Sequence, residues 1–335
     1  LTFRDITQQR LAEQALTTAE ERWKFALEGS GDGVWDWDAQ SNKVFYSPRY
    51  EVSYGEPGFV TRKFSLTAKS LDGVAVLVEP NDPSREDIRL AHDEIWTEKI
   101  ISGGLTGEDL ARLELPFSPE ISLAHRLAVG GTVLAAYHAL ECGVGLHCGG
   151  GSHHAFRDHG EGYCALNDLA IAILKLRKEG KMRRAAVVDL DVHQGNGTAS
   201  IFSNDPETFT FSMHQGDLYP LPKEKSSLDV ELTVGTGDVK YYDRLRHGLK
   251  AVMDFKPDLV VYQAGVDVWE RDRLGGLALT ERGVLNRDMA VREVCLLHQV
   301  PVVVTVGGGY GPTPEDTARL HARTLRLFAG LGAIL

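Results

Sequence analysis

In VVDLDVHQGNG (residues 187–197), Asp189, Asp191 and His193 occupy alternate positions. Residues two apart in an extended chain face the same side, so these three share a face while Leu190 and Val192 take the other. Asp-x-His offers a metal one hard oxygen and one imidazole nitrogen. Asp267, just past the apolar run 259–264, supplies a third ligand from a neighbouring segment. Two carboxylates, one imidazole and an open fourth position suit a catalytic zinc; a structural zinc would close that position, usually with Cys. Similar polar clusters follow other apolar runs: GGGSHH at 149–154, FSMH at 211–214 and VGGGY at 306–310. Singly, each has a plainer reading: loop capping for Asp-x-His, two surface histidines for His153–His154, a tight bend for GGGY. No G-x-x-x-x-G-K-[ST] or G-x-G-x-x-G motif makes the glycines a phosphate cradle. Together, all at the ends of apolar runs, the clusters indicate a metallohydrolase.

The elements that must position them are short. Strands are expected at 74–78, 144–147, 185–191, 208–212, 259–265 and 300–306. Helices are expected at 167–179, capped by Asn167 and stopped at Gly180, and at 240–254 and 281–298. Nearly all-apolar strands alternating with helices predict an α/β fold: a central parallel sheet with helices on both faces, in three layers. Ligands in such sheets bind at the carboxyl ends of the strands, where the polar clusters fall. Residues 1–43 differ in texture. Leu11, Ala15, Leu16, Ala19, Trp23 and Leu27 make the apolar stripe of an amphipathic helix, ended by Gly29, Gly31 and Gly33. VWDWD at 34–38 then alternates like a half-exposed strand. The expected division is 1–43, a helical arm, and 44–335, the main domain.

Lys and Arg number 36 and Asp and Glu 47, giving a net charge of −11. That argues against general nucleic-acid binding and suits a cationic substrate. The four cysteines (Cys142, Cys148, Cys164, Cys295) form no CxxC and no disulfide framework, so a reducing, cytoplasmic location is expected. No run approaches the roughly 18 apolar residues of a membrane helix. The chain begins at Leu1 and is read as a fragment.

The motifs GGGSHHAFRDHGEGYCALND (149–168), VVDLDVHQGNGTASIF (187–202), FSMH (211–214), YQAGVD (262–267) and VGGGY (306–310) resemble those of the zinc-dependent histone deacetylase family. YSPRY (46–50), DVHQGNG (191–197) and DRLGGLALT (272–280) are closest to its class IV. The resemblance implies an arginase-like fold and hydrolysis of acyl-lysine amides. By it, Asp191, His193 and Asp267 are the zinc ligands. His154 is the general base, partnered by Asn196 where class I members carry Asp. His153 is oriented by Asp189, and Tyr310 stabilises the oxyanion with the zinc. A potassium ion is implied at Asp189, Asp191, His193, Ser212 and Met213. Gly162 and Tyr163 match the acyl-lysine tunnel wall, Leu274 its rim, and Arg62 the acetate-side pocket. FRDITQQRLAEQAL and EERWKFALEGSGDGVWDWD, within residues 3–38, resemble the opening of a PAS sensor domain, cut short, and this segment is expected to contact a partner or a second subunit. Two further readings stay open: a catalytically silent module that binds acylated amines, and a deacetylase of small amines such as polyamines. A binuclear manganese ureohydrolase of the same fold lacks its extra carboxylate and histidine ligands here.

Overall fold

The computed structural model describes residues 43–45, 61–73 and 75–330. The amphipathic helix, the VWDWD strand and the PAS-like segment expected before residue 43 lie outside these, as does YSPRY.

The strands are β1 (Lys43–Phe45), β2 (Val76–Val78), β3 (Val144–His147), β4 (Ala185–Asp189), β5 (Thr208–Gln215), β6 (Leu228–Leu232), β7 (Leu259–Gln263) and β8 (Val302–Thr305). They form one sheet in the order β2-β1-β3-β8-β7-β4-β5-β6, parallel throughout. The five strands that end in polar clusters, β3, β8, β7, β4 and β5, are thus contiguous, and their carboxyl ends meet at one edge.

Each central strand serves both faces, as the period of two requires. Ala185, Val187, Leu259, Val261 and Val303 pack in one hydrophobic core, against helices Pro119–Cys142 and Asp168–Lys178. Ala186, Val188, Val260, Tyr262, Val302 and Val304 pack in the other, against helices Arg62–Lys69, Asp238–Asp254, Glu281–His298 and Pro314–Phe328. This is the three-layer α/β architecture expected. Burying each aliphatic side chain contributes about 1.5–3 kcal/mol.

The expected helices match within two residues, and Asn167 caps its helix by accepting the Ala170 N–H at 3.0 Å. Two strands and several helices, the longest among them, escaped the sequence reading. β1 is too short to show a pattern. β6 (LDVEL) carries charges because it lies at the sheet edge. Helix Pro119–Cys142 is buried on most sides and lined with Ala and Gly, which erases the amphipathic stripe. Among the described residues no helix is long and apolar enough to cross a membrane, and the four cysteines are free.

Candidate active site

β4 and β7 are neighbours in register, Asp189 beside Gln263. The loops that leave them bring Asp191, His193 and Asp267 together, with one ligand-capable atom of each lying within 4.8 Å of the others. His193 Nδ1 is 3.1 Å from Asp191 Oδ1 and 3.4 Å from Asp267 Oδ2. The remaining oxygens are tied back: Asp191 Oδ2 accepts from Gln263 Nε2 (2.9 Å) and the Gly308 N–H (3.1 Å), and Asp267 Oδ1 from the Val192 N–H (2.8 Å). Among the described residues, buried Asp267 Oδ2 has no hydrogen-bond partner. A Cβ on Gly308 would come within 2.1 Å of it, so glycine keeps this space open.

The charges ask for a cation here. Burial and the Asp191 carboxylate push Asp267 up to about 7. Burial alone would lower His193, but Asp191 and Asp267 raise it to about 10. A proton on His193 balances the two acids, and a divalent metal would displace it. The orphaned oxygen and the O,N,O donor set fit zinc.

Beside the triad, the two histidines are held in opposite charge states. His153 Nδ1 lies 2.6 Å from Asp189 Oδ2. Burial would lower its pKa, but Asp189 and Asp191 raise it to about 9. His154 is driven well below 6.5 by burial and by the positive charge of His153 and His193. Its Nδ1 lies 2.7 Å from Asn196 Oδ1. Paired groups with pKa values pushed apart are the pattern of an acid–base site.

A cavity of about 340 Å³ opens onto these groups, lined also by Gly162, Tyr163, Tyr219, Leu274 and Tyr310. Gly162 (φ +50°) and Tyr163 (φ +65°) are the two central residues of a tight turn closed between Glu161 and Cys164. Positive φ at both is the type I′ signature, and Tyr is an uncommon occupant. A Cβ on Gly162 would sit 2.8 Å from Tyr219 Oη and 2.9 Å from His154 Cδ2. The turn hangs from helix Gly107–Leu113: Gly162 N–H donates to Arg112 O and Tyr163 N–H to Leu113 O. Tyr310 is held by its own N–H on Asp272 Oδ2 at 2.6 Å. Burial, then Asp267 and Asp191, push its phenol well above 10, so it remains a donor.

Ser212 lies beside Asp189 in the β4–β5 register, with Oγ 2.9 Å from His214 Nδ1. The Met213 side chain is in the hydrophobic core, so only its main chain is available to an ion.

Arg62 does not line the site. It is exposed and paired with Glu315 at 3.0 Å. The next residue turns inward: Lys63 Nζ donates to Gly307 O (3.1 Å) and Gly309 O (3.2 Å) and sits 4.7 Å from the Tyr310 ring centroid. Burial pulls Lys63 down to about 8. The motifs named other positioning residues only in part. Asp168, inside the ND pair of the 149–168 motif, accepts the Gly151 and Ser152 N–H groups and holds the loop before the histidines. Arg287 is fully buried. Its guanidinium donates to Leu190 O, Ala264 O and Gly265 O, the main chain from which the loops with the candidate ligands depart.

Comparison with known proteins places this geometry in a family: residues 60–326 match the histone deacetylase domain. An uncharacterized protein of Picosynechococcus is 41% identical, over 83% of this chain and 95% of that protein. A probable deacetylase of Methanothermobacter thermautotrophicus is 30% identical, covering 80% and 86%. Histone deacetylase 2 of Arabidopsis thaliana is 29% identical, covering 87% and 79%. The crystal structure of the HDA15 HD domain shares the fold, with a TM-score of 0.72 at 21% identity over 86% of this chain and 90% of that one. The chain belongs to the histone deacetylase family.

Proposed function

We propose that the chain is a zinc-dependent hydrolase that removes an acyl group from a lysine side chain or a similar acylated amine. The observation that carries this reading is the meeting in one cavity of an Asp-His-Asp triad with the donor set for a metal, a histidine pair of opposite charge and a phenol. Asp191, His193 and Asp267 would hold the zinc, which supplies Lewis-acid polarisation of the amide carbonyl and acidification of water. His154 is neutral, with Nδ1 engaged by Asn196. Its Nε2 takes a proton from the attacking water and returns it to the departing amine as the C–N bond breaks. His153 stays protonated against Asp189 and adds positive charge. The Tyr310 hydroxyl donates to the oxygen that gains negative charge. Tyr163, Tyr219 and Leu274 flank the methylene stem of the substrate. Potassium at Asp189, Asp191, His193, Ser212 and Met213 belongs to the same reading, as does the net charge of −11, which favours cationic substrates.

The test is mass-spectrometric release of free acid by the zinc-loaded protein, from acyl-lysine peptides and from acetylated polyamines, with Asp267→Ala as control. Turnover lost in the control supports the reading. Binding without release would leave a silent acyl-amine module, and full activity of Asp267→Ala would exclude the metal mechanism.

A further inference from the structure

Asn196 carries no charge, yet it is the partner of the proposed base. An amide can face a histidine with either end: its oxygen accepts Nδ1–H, while its NH₂ would donate to a bare Nδ1 and move the proton to Nε2. The second arrangement disables Nε2 as a base. What fixes the amide lies one step further out. Asn196 Nδ2 donates to Glu161 Oε1 at 2.7 Å, and the Tyr219 hydroxyl donates to the same oxygen at 2.6 Å. An ionised carboxylate only accepts, so Asn196 must turn Nδ2 toward Glu161 and Oδ1 toward His154. His154 Nδ1 then carries the proton and Nε2 presents its lone pair. Glu161 is held ionised: burial would raise its pKa, but His159, Tyr219 and Asn196 bring it below the usual value. It is the residue before Gly162, so the turn that builds the tunnel wall also fixes the position of this carboxylate.

We infer that Glu161 is a positioning residue that sets the tautomer of His154 through Asn196 and offsets, at one remove, the charge His154 gains when it takes a proton. The inference rests on His154 being the base of the proposed reaction. It assigns the Asn196 position a two-part device, an amide backed by a carboxylate, in place of a direct carboxylate.

The experiment uses the full zinc-loaded chain, labelled with ¹⁵N-histidine. Two-bond proton–nitrogen correlations read the His154 tautomer, assigned by its loss in His154→Gln. The wild type is expected to show Nδ1–H. In Glu161→Gln, whose side-chain amide can face Asn196 with either end, an Nε2–H population appears. On an acetyl-lysine peptide kcat falls about 10–100-fold, as for other residues that orient a functional group from behind, with KM unchanged. The double variant Glu161→Gln, Asn196→Asp moves the carboxylate into direct contact with His154 and is expected to restore both the Nδ1–H tautomer and most of kcat. An unchanged tautomer or an unchanged kcat in a folded Glu161→Gln protein overturns the inference, and so does a double variant as slow as the single. If Glu161→Gln does not fold, the double variant alone decides by the same two readouts. If the wild type releases no acid from any acylated amine, the proposed function fails, while the tautomer comparison still decides the role of Glu161.

Discussion

Asp267 Oδ1 accepts the main-chain N–H of Val192 at 2.8 Å, so one candidate ligand is fastened to the loop that carries the other two. The bond fixes the distance between the β4 and β7 loops and leaves Oδ2 directed at His193. Asp267→Ala removes both functions. Zinc per chain should fall from one to background by elemental analysis. Zinc at about 100 times its Kd should stabilise the wild type by about 2.7 kcal/mol and leave the variant's unfolding midpoint unmoved.

Arg287 performs a related task from behind the sheet. Its three carbonyl partners and Asp288 are buried, and Asp288 also accepts from Tyr262 and Thr324. Arg287→Met leaves that carboxylate without its cation and should cost about 3–5 kcal/mol in urea unfolding. Arg287→Lys should recover little, because one ammonium cannot reproduce the planar fork. A loss below about 1 kcal/mol, the range of exposed pairs, would contradict the clamp.

Acid should weaken the fold through its buried neutral histidines. Burial holds His125 at about 4, and neither of its ring nitrogens has a hydrogen-bond partner among the described residues. Below about pH 6.5 the unfolded chain takes up a proton that folded His125 refuses until about pH 4, so stability falls as pH drops through that window. His92 and His147, lowered to about 4 and about 3, act in the same direction. Between pH 7 and 5, His125→Leu should lose about 2 kcal/mol less than the wild type. Parallel urea curves for the two proteins would reject this.

Gly162→Ala tests the turn. Its φ of +50° and the close approach of Tyr219 and His154 both oppose a methyl group. The expected cost is about 1–3 kcal/mol of stability. Turnover should drop while zinc content is unchanged, a pair of results that separates the turn from the candidate metal ligands.

The order of polar clusters made most of this site readable, because a parallel sheet gathers at one edge what the chain spreads over some 160 residues, from Gly149 to Tyr310. Asp191, His193 and Asp267 follow short, nearly all-apolar runs that read as buried strands from their length and β-branched content. Lys63 had no such signal: its partners lie 244 and 246 residues away, and a lysine on a short helix looks like any surface lysine. The same holds for Arg287, which reads as one charge among several on helix Glu281–His298 until the fold brings it beneath two loops. Tyr219 was invisible because its meaning comes from Glu161, 58 residues earlier.

The turn at Gly162 and Tyr163 is suspended from the last carbonyls of helix Gly107–Leu113, which contains none of the motif residues. Mutational drift in that helix would shift the wall without touching a ligand or a proton donor. Two descendants with identical catalytic motifs could then come to admit different substrates, and the substitutions responsible would lie in a stretch that motif-based sorting passes over.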